Sequence, residues 1–236
     1  MVELSYVMLI SRCNEQLFNS LRSVQRQNPD SFKAYLDEYR LGENTDIVCD
    51  IVKLYGGEPI IQQKAYNDDG SPLYMDHHVD VVHAHHKAFL EADNPVICQI
   101  DDDDEMLSNR RDIVDEYFDD DVGIIYGDVF MLQKGHKPRM RKSRQITRET
   151  DVNQIKGSGR ILNRDAFKEI HNYVDHGYWL DFKIYYWIMR AGYRAVYVPR
   201  LFSIQNYNLV VNREREEARI SGWQQELKKL EKQEFL

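Results

Sequence analysis

Apolar and polar positions change period repeatedly along this chain. Ser5–Ser11 (SYVMLIS) is an unbroken, mostly aliphatic run and predicts a buried strand. Asn14 follows as a helix cap, Leu17, Leu21 and Val24 recur at helical spacing, and Asn28-Pro29 stops that helix. Phe32–Leu41 places Phe32, Ala34, Leu36 and Glu38 on one side, a weak strand pattern. Thr45–Leu54 predicts a helix capped by Asn44 or Thr45, with Ile47, Ile51 and Leu54 as its apolar face. A third strand is expected within Glu58–Ala65, a turn at Asn67–Ser71, and a helix over Asp76–Ala92 that ends at Asn94-Pro95. Val96–Ile100 is again a buried strand.

The second half reads less regularly. Asp112–Phe118 predicts a helix, Val122–Tyr126 and Val129–Leu132 two short strands, and Lys134–Arg148 a loop without apolar period. A strand follows at Ile155–Leu162, then helices at Asp165–Ile170 and Phe182–Ala191, and a strand over Tyr193–Val198 closed by Pro199. Strands alternating with helices predict an α/β layered domain with a largely parallel sheet. The chain divides into a main domain, 1–208, and a charged amphipathic helix, 209–236. In that helix Ile220, Trp223, Leu227 and Leu230 form a narrow seam, suited to docking on the domain or on a second copy as a homo-oligomer. Gly222 within the seam argues against a long coiled coil.

Composition narrows the class. With 236 residues, the chain is long enough for one large domain with a sizeable core. No run reaches the ~18 apolar residues of a membrane span, and MVELSYVMLI lacks the basic flank and cleavage site of a secretory signal. Cys13, Cys49 and Cys98 are far apart and lie in apolar segments, which predicts reduced, buried thiols and a cytoplasmic protein. A net charge of −8 disfavours nucleic-acid binding over the whole surface. Lys134–Arg148 is the local exception, with seven Lys or Arg and no acid. Its Lys137, Arg139, Arg141, Lys142 and Arg144 read either as a solvated loop or as a dock for a polyanion.

Ile97–Met106 (ICQIDDDDEM) carries the chemistry. Four adjacent aspartates and a glutamate at the end of a buried strand form either a solvated acidic turn or a seat for a hard cation, Mn²⁺ or Mg²⁺, bridging phosphate oxygens. Ligands of parallel sheets bind beyond the carboxyl ends of the strands, where these residues fall. An EF-hand is excluded by the missing glycine and distal glutamate. Upstream, Asp76–His86 (DHHVDVVHAHH) holds five histidines. Asp76, His78 and His85 suit a transition-metal site, although a polar helix face with His85 or His86 on a diphosphate fits better.

Five stretches stand in a fixed order: ISRCNE (Ile10–Glu15), SVQRQ (Ser23–Gln27), AHHKAFLEADNPVICQIDDDDEM (Ala84–Met106), KGSGRILNRDAF (Lys156–Phe167) and LDFKIYYWIMRAGYRAVYVP (Leu180–Pro199). Through them the sequence over Tyr6–Tyr207 resembles the family-2 glycosyltransferases of GT-A fold. The resemblance implies a Rossmann-like nucleotide-diphospho-sugar transferase domain, with a mostly parallel mixed sheet flanked by helices. It implies that Asp101 reaches the nucleotide ribose, that Asp103 binds the metal with Asp104 assisting, and that Asp181 is the catalytic base of an inverting transfer. A register one residue later, Asp102 and Asp104, fits the motif as well. Arg12, Asn14, Asp37, Glu38, His85 and His86 fall on the nucleotide side, while Trp179 and the basic loop fall on the acceptor side. Where the family has an acidic pair this sequence has RLGENTD (Arg40–Asp46), and Leu180, Lys183 and Trp187 replace a glutamate, an aspartate and an arginine. SIQNYN (Ser203–Asn208) stands where a family histidine often follows the last strand.

The implied activity is metal-dependent transfer of a hexosyl or pentosyl group from a nucleotide sugar, most simply a UDP-sugar, to an acceptor hydroxyl. The acceptor is either a glycan or phosphate-bearing polymer of teichoic type, or hydroxymethylated bases in DNA, as in viral DNA modification within a host cytoplasm. Two other classes fit the same residues: an inactive nucleotide-sugar-binding module, and a metal-dependent nucleotidyltransferase.

Overall fold

A computed structural model describes residues 2–62, 77–133, 135–155, 159–174, 180–207 and 213–233, with backbone alone at 77–83, 180, 207 and 213–221. Among these, nine strands form one mixed sheet: β1 (Leu4–Ile10), β2 (Ser31–Asp37), β3 (Glu58–Gln62), β4 (Val96–Asp101), β5 (Glu105–Met106), β6 (Val122–Gln133), β7 (Arg139–Arg141), β8 (Ile161–Asn163) and β9 (Arg194–Tyr207). Their order is β3-β2-β1-β4-β8-β6-β9-β5, with β7 on β6. The strands β1 to β4 run parallel, and β6 and β9 run parallel to each other. Between these two blocks β8 is antiparallel to both β4 and β6, so the two blocks point the same way.

The helices are α1 (Glu15–Gln25), α2 (Glu38–Leu41), α3 (Thr45–Leu54), α4 (His77–Leu90), α5 (Arg110–Tyr117), α6 (Arg164–Ile170), α7 (Leu180–Arg190) and α8 (Arg213–Leu230). They cover both faces, so the central strands are apolar on both sides and lose the alternation of a half-exposed sheet. On one face Tyr6, Met8 and Ile10 of β1 meet Leu17 and Leu21 of α1, Val48 and Val52 of α3, and Ile113 and Val114 of α5. On the other, Val7 and Ile97 share a core with Phe89 of α4, Phe167 of α6 and Tyr185–Ile188 of α7.

Several elements differ from the sequence-based expectation, each for a physical reason. Helix α3 spans the expected residues but buries Thr45, Val48, Cys49 and Val52, leaving Ile47 and Leu54 exposed. Two stripes at helical spacing coexist in this helix, and the sheet takes the one of smaller side chains. Strand β2 stops at Asp37, whose carboxylate accepts the Arg40 N–H and turns Glu38 into a helix. The strands expected at Val122–Tyr126 and Val129–Leu132 are one strand, bulged at Gly127, where any Cβ would collide with Phe202. Strand β9 runs through Pro199 to Tyr207, because Pro199 falls in that bulge, between Tyr197 opposite Tyr126 and Leu201 opposite Asp128. A missing N–H costs nothing at such an irregularity. Within the loop expected at Lys134–Arg148, residues 139–141 form β7 against Val129–Met131. Of the expected Ile155–Leu162 strand, Ile161 and Leu162 belong to β8, and among the described residues 155, 159 and 160 lie outside it. Cys49 and Cys98 are buried as expected, but Cys13 is exposed. The turn at Asn67–Ser71, Asp76 and Trp179 lie outside the described residues. Among those described, no helix is long and apolar enough to cross a membrane.

Helix α8 docks on its own domain. Trp223 and Leu230 are buried in the same core as α7, and the Trp223 ring packs on Phe182 at 5.1 Å between centroids. Beside them the buried Lys183 amine meets Glu226 at 2.9 Å. These two members of the seam are therefore occupied within the chain. Removing one member of a buried pair strands the other charge, whereas replacing both with apolar groups does not. Glu226→Gln is expected to lower stability by about 3 kcal/mol in urea unfolding. The double variant Lys183→Met with Glu226→Leu should recover most of that loss.

Candidate active site

Strand β4 delivers Asp101 at its carboxyl end, opposite Leu9 of β1, and the chain turns back as the Asp104 N–H donates to Asp101 O at 3.2 Å. The four aspartates then separate by role. Asp102 is buried, accepts the Ser11 N–H at 2.7 Å and the Ser11 hydroxyl at 3.2 Å, and meets Arg12 Nε at 3.1 Å. Asp104 is also buried, accepting Asn206 N–H at 3.0 Å and the Gln205 amide at 3.3 Å. Asp101 and Asp103 keep 40% and 19% of their side-chain surface exposed, and Arg12 reaches Asp103 at 2.8 Å. One pair thus fastens the turn to β1 and β9, and the alternate pair opens into solvent.

Two flanking segments lock the chain as it leaves the turn. Ser23 Oγ accepts the Met106 N–H at 3.0 Å, and Gln27 Oε1 accepts the Arg110 N–H at 2.9 Å. Both belong to the SVQRQ segment, at the end of α1 and just beyond it. On the far side Asn206 Nδ2 donates to Asp103 O at 2.7 Å.

Opposite the turn stands Asp181 in the first turn of α7, 44% exposed, with a terminal guanidinium nitrogen of Arg160 donating to its carboxylate at 3.0 Å. Arg160 is itself buried and lies over the Tyr185 ring at 5.0 Å, and its carbonyl accepts the Gln99 N–H of β4 at 3.0 Å. One residue therefore links the acidic strand to the Asp181 helix. The Asp101 carboxyl is pushed up to about 6 by burial first, then by the Asp181 and Asp103 carboxylates, against Arg160 and Arg12. Asp102 is pushed up to about 6 by burial, with Arg12 opposing.

Of the residues expected at this site, Arg12, Asp101, Asp103 and Asp181 are brought together. His85 is held beside them: its Nε2 accepts the Gln99 amide at 3.1 Å and lies 4.0 Å from Asp101. Five others are placed differently. His86 turns toward α6, with Nε2 at 3.0 Å from His171 O and its ring edge-on to Phe167. Asp104 is turned to the end of β9. Asn14 caps α1 by accepting from Gln16 and Leu17 N–H, Asp37 caps α2, and Glu38 is exposed on α2. Lys137, Arg139, Arg141, Lys142 and Arg144 lie on or beside the β6–β7 hairpin. The sequence pattern did not point to Arg160, Gln205 or Asn206. The signal for Arg160 was a lone cation in the small and apolar run GSGRIL.

The residues fit a divalent cation of the Mg²⁺ or Mn²⁺ type. Asp101 and Asp103 are partly exposed carboxylates at the end of β4, the oxygen donors a hard cation takes, and Arg12 already supplies Asp103 with one positive charge. Among the described residues no group of three or more His, Cys, Asp or Glu is placed to hold a metal alone. A hard cation at the open pair would therefore need phosphate oxygens to complete its shell.

Ionising Asp101 is unfavourable in the folded state, so native protein holds its proton between the ordinary carboxylate range and about 6. Its cost to stability is absent below that window and full above it. Asp101→Asn, compared with the parent in EDTA, should raise Tm at pH 7.5 and leave it unchanged near pH 4. A gain of equal size at both pH values would count against this charge balance.

No protein-family model and no curated protein matches the sequence. Among solved structures the chain is similar to S. aureus TarS, a glycosyltransferase, with a TM-score of 0.62 and 8% identity over 86% of this chain and 36% of that one. It is similar also to TarS 1-349, with a TM-score of 0.58, and to TarS 1-349 in complex with UDP, with a TM-score of 0.59, each at 10% identity. These cover 86% of this chain and 60% of theirs, so the chain spans less than two thirds of the structures it matches. The mixed sheet flanked by helices is the fold of glycosyltransferase structures such as TarS.

Proposed function

We propose that this protein transfers a sugar from a nucleotide diphosphate donor, a UDP-sugar, to an acceptor hydroxyl, with inversion and with a divalent cation assisting. The observation that carries the reading is the open Asp101/Asp103 pair at the end of β4, faced by Asp181 on Arg160. The fold shared with TarS, which was solved in complex with UDP, supports the donor class.

Each residue has a separable task. Asp101 and Asp103 would hold the cation and the donor, and Arg12 adds a guanidinium beside the diphosphate. A cation bound there would neutralise the charge that develops on the departing nucleoside diphosphate. Asp181 would take the proton of the acceptor hydroxyl as its oxygen attacks the anomeric carbon. Arg160 keeps that carboxylate oriented. His85, fixed by Gln99, lines the donor side. Attack by the acceptor oxygen from the face opposite the leaving group gives inversion.

Asp181→Asn is expected to cut transfer by about 10²–10⁴-fold with donor binding retained. Asp103→Asn should abolish transfer and also remove Mn²⁺-dependent donor binding, measured by calorimetry with and without the metal. Full transfer by either variant, followed as UDP release from a panel of UDP-sugars, would sink the assignment.

A further inference from the structure

The β6–β7 hairpin is the strongest cationic feature of an acidic protein, and the proposed chemistry leaves it without a task. Residues 135–148 contain Lys137, Arg139, Arg141, Lys142, Arg144 and Arg148 and no acid. Many arginines elsewhere on the described surface are paired: Arg111 with Asp30, Arg190 with Glu149, Arg194 with Asp121, Arg200 with Glu116. Lys137, Arg139, Lys142 and Arg144 are exposed and form no ion pair among the described residues. Four uncompensated cations on one short hairpin repel one another, and a bound polyanion relieves that.

The hairpin also stands at the right place. Met131 of β6 lies opposite Arg139 on one side and Gln205 of β9 on the other. Gln205 and Asn206 hold the acidic turn. Two strand spacings, ~10 Å, therefore separate the basic strand from the strand that fastens the site. The hairpin is held rigid from below: Ser143 N–H donates to Asp128 at 2.9 Å, and Tyr126 OH donates to Arg144 O at 2.7 Å.

We propose that this hairpin docks duplex DNA and that the acceptor hydroxyl is a hydroxymethyl group on a base of that duplex, because an unmodified duplex carries hydroxyls only at its ends; the inference rests on the transferase function proposed above. Three observations select duplex DNA from other polyanions. The protein as a whole is −8, so a partner must overcome general repulsion. A duplex, with one charge per ~1.7 Å and a condensed counterion layer to release, gains more than a polymer with one phosphate per monomer. Residues 135–148 hold no Phe, Tyr or Trp, whereas single-strand binding depends on aromatic platforms for unstacked bases. β7 is an edge strand, since β6 is bonded to β9 on its other side, and such an edge can reach the wide major groove of B-form DNA but not the deep, narrow one of A-form RNA.

The test is fluorescence anisotropy of a short labelled duplex from about 50 to 200 mM salt, using the full chain. Wild type should bind with a steep negative salt slope. The variant Arg139→Ser/Lys142→Ser/Arg144→Ser should bind at least about tenfold more weakly at low salt, its slope shallower by about 0.9 for each phosphate it no longer neutralises. Failure of wild type to bind, an unchanged slope in the triple variant, tighter binding to a single strand, or equal competition by a polyol-phosphate polymer would overturn the assignment. Donor turnover is read separately as UDP release. Turnover without DNA binding refutes this inference alone, and DNA binding without turnover on any UDP-sugar refutes the transferase function.

Discussion

Four adjacent carboxylates cannot all face one cleft without strong repulsion, and the way this chain relieves that repulsion organises the site. Asp102 and Asp104 are drawn down into protein hydrogen bonds, from Ser11 and Arg12 on one side and from Gln205 and Asn206 on the other. Their burial makes them fasteners between the first strand and the last. Asp101 and Asp103 are left outward because their neighbours are held inward. This alternation, Asp102 and Asp104 inward and Asp101 and Asp103 outward, follows from which pair finds donors below the turn. A buried carboxylate requires such donors: the Ser11 N–H and hydroxyl serve Asp102, and the Asn206 N–H and Gln205 amide serve Asp104.

The same fastening divides the sheet into working halves. On β1 and β4 lie Arg12, the acidic turn and, through Gln99, His85. On the block of β6, β7 and β9 lie the basic hairpin and the strand end that clamps the turn. The short antiparallel β8 joins the halves, and Arg160 sits immediately before it, hydrogen-bonded to β4 through its backbone and to Asp181 through its side chain. Movement of one half against the other would disturb both contacts of Arg160. Arg160, its side chain buried against Tyr185, thus ties the acidic strand to Asp181.

The layered architecture was legible because buried parallel strands write themselves as unbroken apolar runs: SYVMLI and VICQI needed no context. What stayed hidden was what depends on neighbours distant in sequence. The buried stripe of α3 was one of two equally periodic stripes, and only the sheet beneath decides between Val48/Val52 and Ile47/Leu54. Pro199 looked like a strand end because its tolerance depends on a bulge at Gly127, in a strand far away along the chain. At the site, types of residue were legible but their assignments were not. Histidines at 85 and 86 are indistinguishable in composition, yet successive helix positions point about 100° apart, so one faces Gln99 and the other His171. Arg160 and Asn206 carry no motif-level signal, since a single buried arginine or strand-end asparagine is common in any fold.

Helix α7 shows how the proposed base is set independently of the acidic turn. Asp181 lies in its first turn, Phe182 meets Trp223, and Lys183 is buried against Glu226, so three consecutive residues face three different partners. A rotation of the helix that would swing Asp181 away from Arg160 must also pull the Lys183 amine from Glu226 and expose Phe182. The orientation of a 44%-exposed side chain is therefore fixed by the two residues that follow it and by a helix from the far end of the chain. That explains why the charged C-terminal segment keeps a tryptophan and a largely buried glutamate within an otherwise solvent-directed sequence: its apolar seam supports α7, and α7 presents Asp181 to the cleft.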